Sequence, residues 1–143
     1  MTRLVLDTNI LISALGWKNG KPRKIFDECI SGKYQPVESI DLINELLNVF
    51  DRDKFSFISK DDKQEFILHL FQICEVIETK TKIDLIKEDL DDNVVLECAF
   101  DGNVDYIISG DPHLLNLKEF KGIKILSASD FLNKENLKEK EFI

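Results

Sequence analysis

The chain is short of the residues on which several common chemistries depend. Its three cysteines, Cys29, Cys74 and Cys98, are widely spaced and form no CxxC pair. That excludes a disulfide framework and a zinc knuckle, and leaves each thiol as a small buried apolar group. Two histidines, His69 and His113, are too few for a three-histidine zinc site and leave little room for a Ser-His-Asp triad. No apolar stretch approaches the roughly 18 residues needed to span a bilayer. Met1-Thr2-Arg3-Leu4-Val5-Leu6-Asp7 sets an acid where a secretory leader needs its apolar run, so a cytoplasmic protein with no membrane association is expected. Positive charge is also scarce. With 19 Lys and Arg against 27 Asp and Glu, the formal charge is −8, the wrong sign for a protein that coats nucleic acid by bulk attraction. What is present is material for a core, 43% hydrophobic residues in 143, enough for one compact domain. Chemistry must then lean on carboxylates.

Leu4-Val5-Leu6 is too short for a helix and reads as a buried strand, closed by Asp7-Thr8-Asn9 as a helix cap. Lys18 to Pro22 reads as a loop, and Arg23 to Ser31 as a helix stopped by Gly32. Tyr34 to Val37 is a second short strand, weakened by Pro36. Ser39 then caps the clearest helix, in which Leu42, Ile43, Leu46, Leu47 and Phe50 recur at helical intervals. A helix over Lys60 to Cys74, a strand over Glu75 to Thr79, a helix over Asp92 to Phe100 and β-branched strands at Asp105 to Ser109 and Ile123 to Leu126 complete the pattern. Short apolar strands alternating with helices predict an α/β/α sandwich on a mainly parallel, five-stranded sheet. The expected domain runs from 1 to 132. Residues 133–143, alternating Lys and Glu before Phe142-Ile143, are expected as a charged terminal helix or a frayed end.

Open parallel sheets bind ligands beyond the carboxyl ends of their strands. Asp7 follows the first strand there, and Asp111 follows the fourth through Ser109-Gly110. Glu45 interrupts the apolar side of its helix, and Asp92 opens the helix feeding the fourth strand. Each has a plainer explanation: a cap for Asp7, a solvent face for Glu45, a helix-dipole cluster for Asp89 to Asn93, and a turn for Gly110-Asp111-Pro112. If the four converge, they repel one another unless a cation offsets them, and an oxygen-only ligand set suits Mg²⁺ or Mn²⁺. Such a centre hydrolyses phosphodiesters.

Taken in order, Asp7-Thr8-Asn9-Ile10-Leu11-Ile12-Ser13-Ala14-Leu15, Glu45, Asp91-Asp92-Asn93-Val94-Val95-Leu96-Glu97-Cys98-Ala99 and Asp105-Tyr106-Ile107-Ile108-Ser109-Gly110-Asp111 closely resemble the PIN-domain family. The resemblance is to its bacterial and archaeal toxin components of toxin–antitoxin pairs, and spans about Leu4 to Leu132. It implies a Rossmann-like fold and a Mg²⁺- or Mn²⁺-dependent endoribonuclease. Asp7, Glu45, Asp92 and Asp111 would be catalytic and metal-holding. Asp91 is the rival for the place of Asp92, and Asn9 and Ser109 match polar positions that orient the acids or the substrate. The resemblance also implies an RNA substrate, a small cognate antitoxin and a homodimer. Lys18, Lys21, Arg23 and Lys24 are candidate RNA contacts, with Trp17 available to stack a base.

Three features depart from the family pattern. Pro112-His113 follows the last acid, leaving His113 to touch substrate or face solvent. Leu90 stands where Pro is common, and Ser109 where Thr is usual. Phosphatases of the haloacid dehalogenase type fit less well, since Asn9 stands where they need a second Asp. Receiver domains fit no better. The competing classes are a PIN-like RNA-binding or scaffold module without catalysis and a housekeeping RNA-processing nuclease.

Overall fold

A computed structural model describes residues 1–141. In chain order, β1 (Arg3–Leu6) leads into α1 (Thr8–Gly16) and α2 (Lys21–Ile30), then β2 (Gln35–Ser39) and α3 (Ile40–Phe50). A 3₁₀ turn at Asp53–Phe55 precedes α4 (Lys60–Ile73) and β3 (Glu75–Ile77). After a long connection come α5 (Asp91–Asp101), β4 (Tyr106–Ile108), α6 (Pro112–Leu115), β5 (Glu119–Phe120), β6 (Ile123–Leu126) and α7 (Ala128–Glu141). No helix among the described residues is long and apolar enough to cross a membrane.

The sheet order is β3-β2-β1-β4-β6-β5, parallel throughout except for β5. It therefore has six strands where the sequence predicts five. The extra strand is one arm of a tight hairpin: Phe120 pairs with Ile123 across Lys121 and Gly122, which have φ of 50° and 83°. Two left-handed residues in a two-residue loop match the twist of antiparallel strands. Alternation along the central strands feeds two cores. Leu4 and Leu6 of β1, with Tyr106 and Ile108 of β4, join the cluster under α1, α2, α4 and α7, whereas Val5 and Ile107 face the cluster containing α5 and α6. The sheet is thus covered on both faces, as predicted.

Element ends shift for local reasons. Pro22, assigned to a loop by sequence, sits in the first turn of α2, where its missing N–H has no partner to lose. β2 continues past Val37 to Ser39, burying Glu38 completely. Ser39 caps α3 as expected, its Oγ accepting the Leu42 N–H at 3.1 Å. Helix α7 begins at Ala128 and buries Phe131 and Leu132, so the expected boundary at 132 falls inside one helix. Phe142 and Ile143 lie outside the described residues.

One close approach fixes α5 against β2. A Cβ on Gly102 would lie 2.8 Å from the Cys98 carbonyl oxygen and 2.9 Å from Val37 Cγ1. Gly102→Ala should therefore lower stability by about 1–3 kcal/mol through overpacking, read as a reduced urea midpoint at unchanged slope.

Candidate active site

Parallel pairing of Leu6 with Ile108 brings the ends of β1 and β4 together. The Asp7 N–H donates to the Ile108 carbonyl at 3.0 Å, and the Ser109 hydroxyl donates to Asp7 Oδ2 at 2.7 Å. Asp7 Oδ1 accepts from the Thr8 N–H at 2.7 Å and caps α1. Cap and site are thus served by one buried carboxylate. Thr8 Oγ1 in turn donates to Glu45 Oε2 at 3.2 Å, tying α1 to α3. Thr8, absent from the sequence-based site, is buried, while Asn9 is exposed at the cleft.

On the other side, the Asp111 N–H donates to Ser109 Oγ at 3.0 Å, and Asp111 Oδ1 accepts from the His113 N–H at 2.8 Å. Ser109 therefore holds Asp7 and Asp111 from one hydroxyl. Asp92, at the start of α5, is buried, and its Oδ2 has no hydrogen-bond partner among the described residues. The His113 ring reaches the same place, with Nδ1 3.6 Å from both Asp92 Oδ2 and Asp111 Oδ1. Asp92, Asp111 and His113 each offer one ligand atom, all within 4.8 Å of one another. An imidazole thus stands among the acids selected from the sequence, because α6 begins at Pro112 and brings the His113 ring back to Asp111.

All four sequence-selected acids line one cleft of about 280 Å³, together with Asn9, Asp89 and Asp91. Their electrostatics follow from crowding. Burial raises the pKa of Asp7 despite its hydrogen bonds from Ser109 and Thr8, and the charges of Asp111 and Asp89 raise it further. Burial also raises Glu45, with smaller contributions from Asp7, Asp91 and Asp89. Asp92 is pushed up to about 7, first by burial and then by the adjacent Asp111. A buried carboxylate oxygen without a donor, among like charges, is the environment a hard divalent cation would satisfy, so these residues fit one.

Two groups of residues stand apart from the sequence-based expectation. Lys18, Lys21, Arg23 and Lys24 do not line the acidic cleft: Arg23 pairs with Asp27 at 2.9 Å, Lys21 contacts Ser129, and Lys18 and Lys24 border a separate groove. The cations that do line it are Arg52 and Lys54, beside Phe55. Beneath the cleft, Glu38 Oε1 accepts the Leu6 N–H at 3.2 Å. β1 pairs with β2 at Arg3–Gln35 and Leu4–Pro36, and the Glu38 side chain serves the backbone just before Asp7. Burial drives the pKa of Glu38 well up, with Asp7 and Glu45 adding to the shift. Reading β2 two residues further would have exposed this acid in the sequence.

The fold and site define an α/β domain with an acidic cleft at the carboxyl edge of a parallel sheet. A family model described as PIN domain matches residues 3–113, and the chain belongs to that family. The uncharacterized protein MJ1680 of Methanocaldococcus jannaschii is 29% identical over 126 residues, covering 86% of this chain and 80% of its own. Among solved structures, a chain from the crystal structure of VapBC2 from Rickettsia felis, bound to a DNA fragment from their promoter, superposes with a TM-score of 0.60. That match covers 87% of this chain and 97% of the other at 13% identity, a likeness of fold.

Proposed function

We propose that this protein is a Mg²⁺- or Mn²⁺-dependent endoribonuclease and the toxin of a toxin–antitoxin pair in the cytoplasm. The observation that carries the reading is the buried, unpartnered Asp92 Oδ2 facing Asp111 in a cleft that also contains Asp7 and Glu45. These four acids would hold the cation, and His113 stands beside two of them, Asp92 and Asp111. A bound divalent cation supplies positive charge to a phosphodiester and lowers the pKa of water. Ser109 fixes the Asp7 carboxylate, and Thr8 fixes that of Glu45, so neither has to reorganise when substrate enters. Arg52 and Lys54 are placed to meet phosphates next to the one being cut.

Membership of the PIN family and the structural likeness to a chain of VapBC2 support the toxin assignment. A free nuclease of this kind must be restrained, and a small antitoxin protein covering the cleft would do so. A homodimer belongs to the same proposal. Purified, partner-free protein should cut one or more RNAs in a panel of tRNA, rRNA and mRNA when Mg²⁺ or Mn²⁺ is present and none in EDTA. Asp92→Asn should give no products. Equal cleavage in EDTA, or by that variant, would overturn the reading.

A further inference from the structure

The acidic cleft has one wall of a different character. Arg52, Lys54 and Phe55 line it, and from Phe55 a row of rings leads outward. The Phe55 and Phe57 centroids are 6.5 Å apart, and Phe57 meets Trp17 edge to face at 6.2 Å. Phe57 is 63% exposed and Trp17 58%. Singly exposed apolar side chains are ordinary, but a contiguous row that runs on from a functional cleft marks a binding surface.

We propose that Phe55, Phe57 and Trp17, flanked by Arg52 and Lys54, form a track for the single-stranded RNA leading to the cut phosphate. This rests on the ribonuclease assignment above.

Charge selects RNA over an apolar protein segment as the occupant. Among the described residues, neither Arg52 nor Lys54 is held in an ion pair. Lys54 Nζ stands 5.1 Å from the Phe55 ring centroid, so cation and stacking face are presented together. Asp51 and Asp53 are exposed and do not line the cleft. On a chain of net charge −8, an RNA strand needs such a local cationic approach.

The inclination of the rings selects a single strand over a duplex. Successive rings are inclined at 48° and 60° to one another, so they cannot continue the parallel stack of a duplex. Bases must come apart to lie on rings so inclined, and stacking of that kind carries little sequence preference.

Trp17 is the single tryptophan of the chain, so its fluorescence reports on the end of the track. The test titrates a short, uncleavable 2′-O-methyl oligouridine into the full-length protein with Mg²⁺, following Trp17 emission and the anisotropy of a dye on the oligonucleotide. Saturable quenching is expected, with affinity about tenfold weaker in Phe57→Ala. Lys54→Gln should weaken binding severalfold and flatten its salt dependence. Circular dichroism melts of the two surface variants should overlay the wild type. A duplex of matching length should leave Trp17 unquenched.

Anisotropy showing bound oligonucleotide without quenching, or with affinity unchanged in Phe57→Ala, would overturn the track. Equal quenching by duplex would overturn the preference for single strands. Quenching by an aromatic-rich peptide but not by RNA would reassign the row to a protein partner. The cleavage assay above separates the two readings. Metal-dependent cutting without quenching leaves the nuclease standing and removes the track, whereas quenching without cutting does the reverse.

Discussion

Asp7→Asn is expected to lower metal-dependent RNA cleavage by about a thousandfold while making the metal-free protein more stable at neutral pH. Both effects arise from one charge. Asparagine keeps an oxygen to accept the Thr8 N–H, so the cap on α1 survives, and its amide can bond the Ser109 oxygen after the hydroxyl rotates. What is lost is the negative charge closest to the β1–β4 junction. Burial already disfavours that charge, and Asp111 and Asp89 add repulsion, so its removal relieves the apo fold. The same removal weakens the hold on a divalent cation, to be measured as Mn²⁺ affinity by calorimetry. Asp91→Asn is the informative companion. Asp91 is exposed at the cleft and its neighbour Asp92 is buried, so cleavage should fall far less than in Asp92→Asn. If Asp7→Asn keeps wild-type cleavage with a normal melting curve, the metal-centred scheme is wrong.

The main lines of this molecule are legible in the sequence because they rest on periodicity and on strand ends. Leu4-Val5-Leu6 and Tyr106-Ile107-Ile108 read as buried strands, and any acid just beyond such strands in a parallel sheet reaches the same edge. Asp7 and Asp111 follow from that rule alone. The elements that escape it are set by contacts distant in sequence. Glu119-Phe120 is a strand only because a left-handed pair at Lys121-Gly122 folds it back on Ile123. Glu38 resembles a polar strand stop, yet it is buried because β2 lies between β1 and β3. Arg52 and Lys54 are far from Asp7 along the chain, and α3 delivers them to the cleft. A search for cations close in sequence to the first motif finds Lys18 to Lys24 instead. His113 is ambiguous in the sequence because Pro112 can mark a turn or a helix start, and here a helix start sets the ring near Asp92.

The stability of the metal-free protein should fall as pH rises from the ordinary carboxyl range through about 7, and Mn²⁺ should reverse the fall. Asp7, Glu38, Glu45 and Asp92 all have raised folded-state pKa values, with Asp92 near 7. Between the unfolded and folded values the native state therefore binds more protons than the unfolded chain, which makes the slope of stability against pH negative. The contribution is fully present below the ordinary carboxyl range. Each group then costs up to about 1.4 kcal/mol per pH unit while it remains protonated only in the fold. Mn²⁺ binds the ionised site, so its stabilising effect has the opposite pH dependence: small at pH 4, and about 2–3 kcal/mol at pH 7 with the ion at a hundredfold excess over its dissociation constant. Glu38→Gln separates the buried acid from the cleft acids. It keeps an acceptor for the Leu6 N–H and does not line the cleft, so it should flatten part of the apo slope while leaving the Mn²⁺ increment intact. Thermal melts across that pH range, with and without Mn²⁺, check all three trends. Stability that rose with pH in the apo protein would mean that the cleft carboxylates are already compensated by groups of the chain itself.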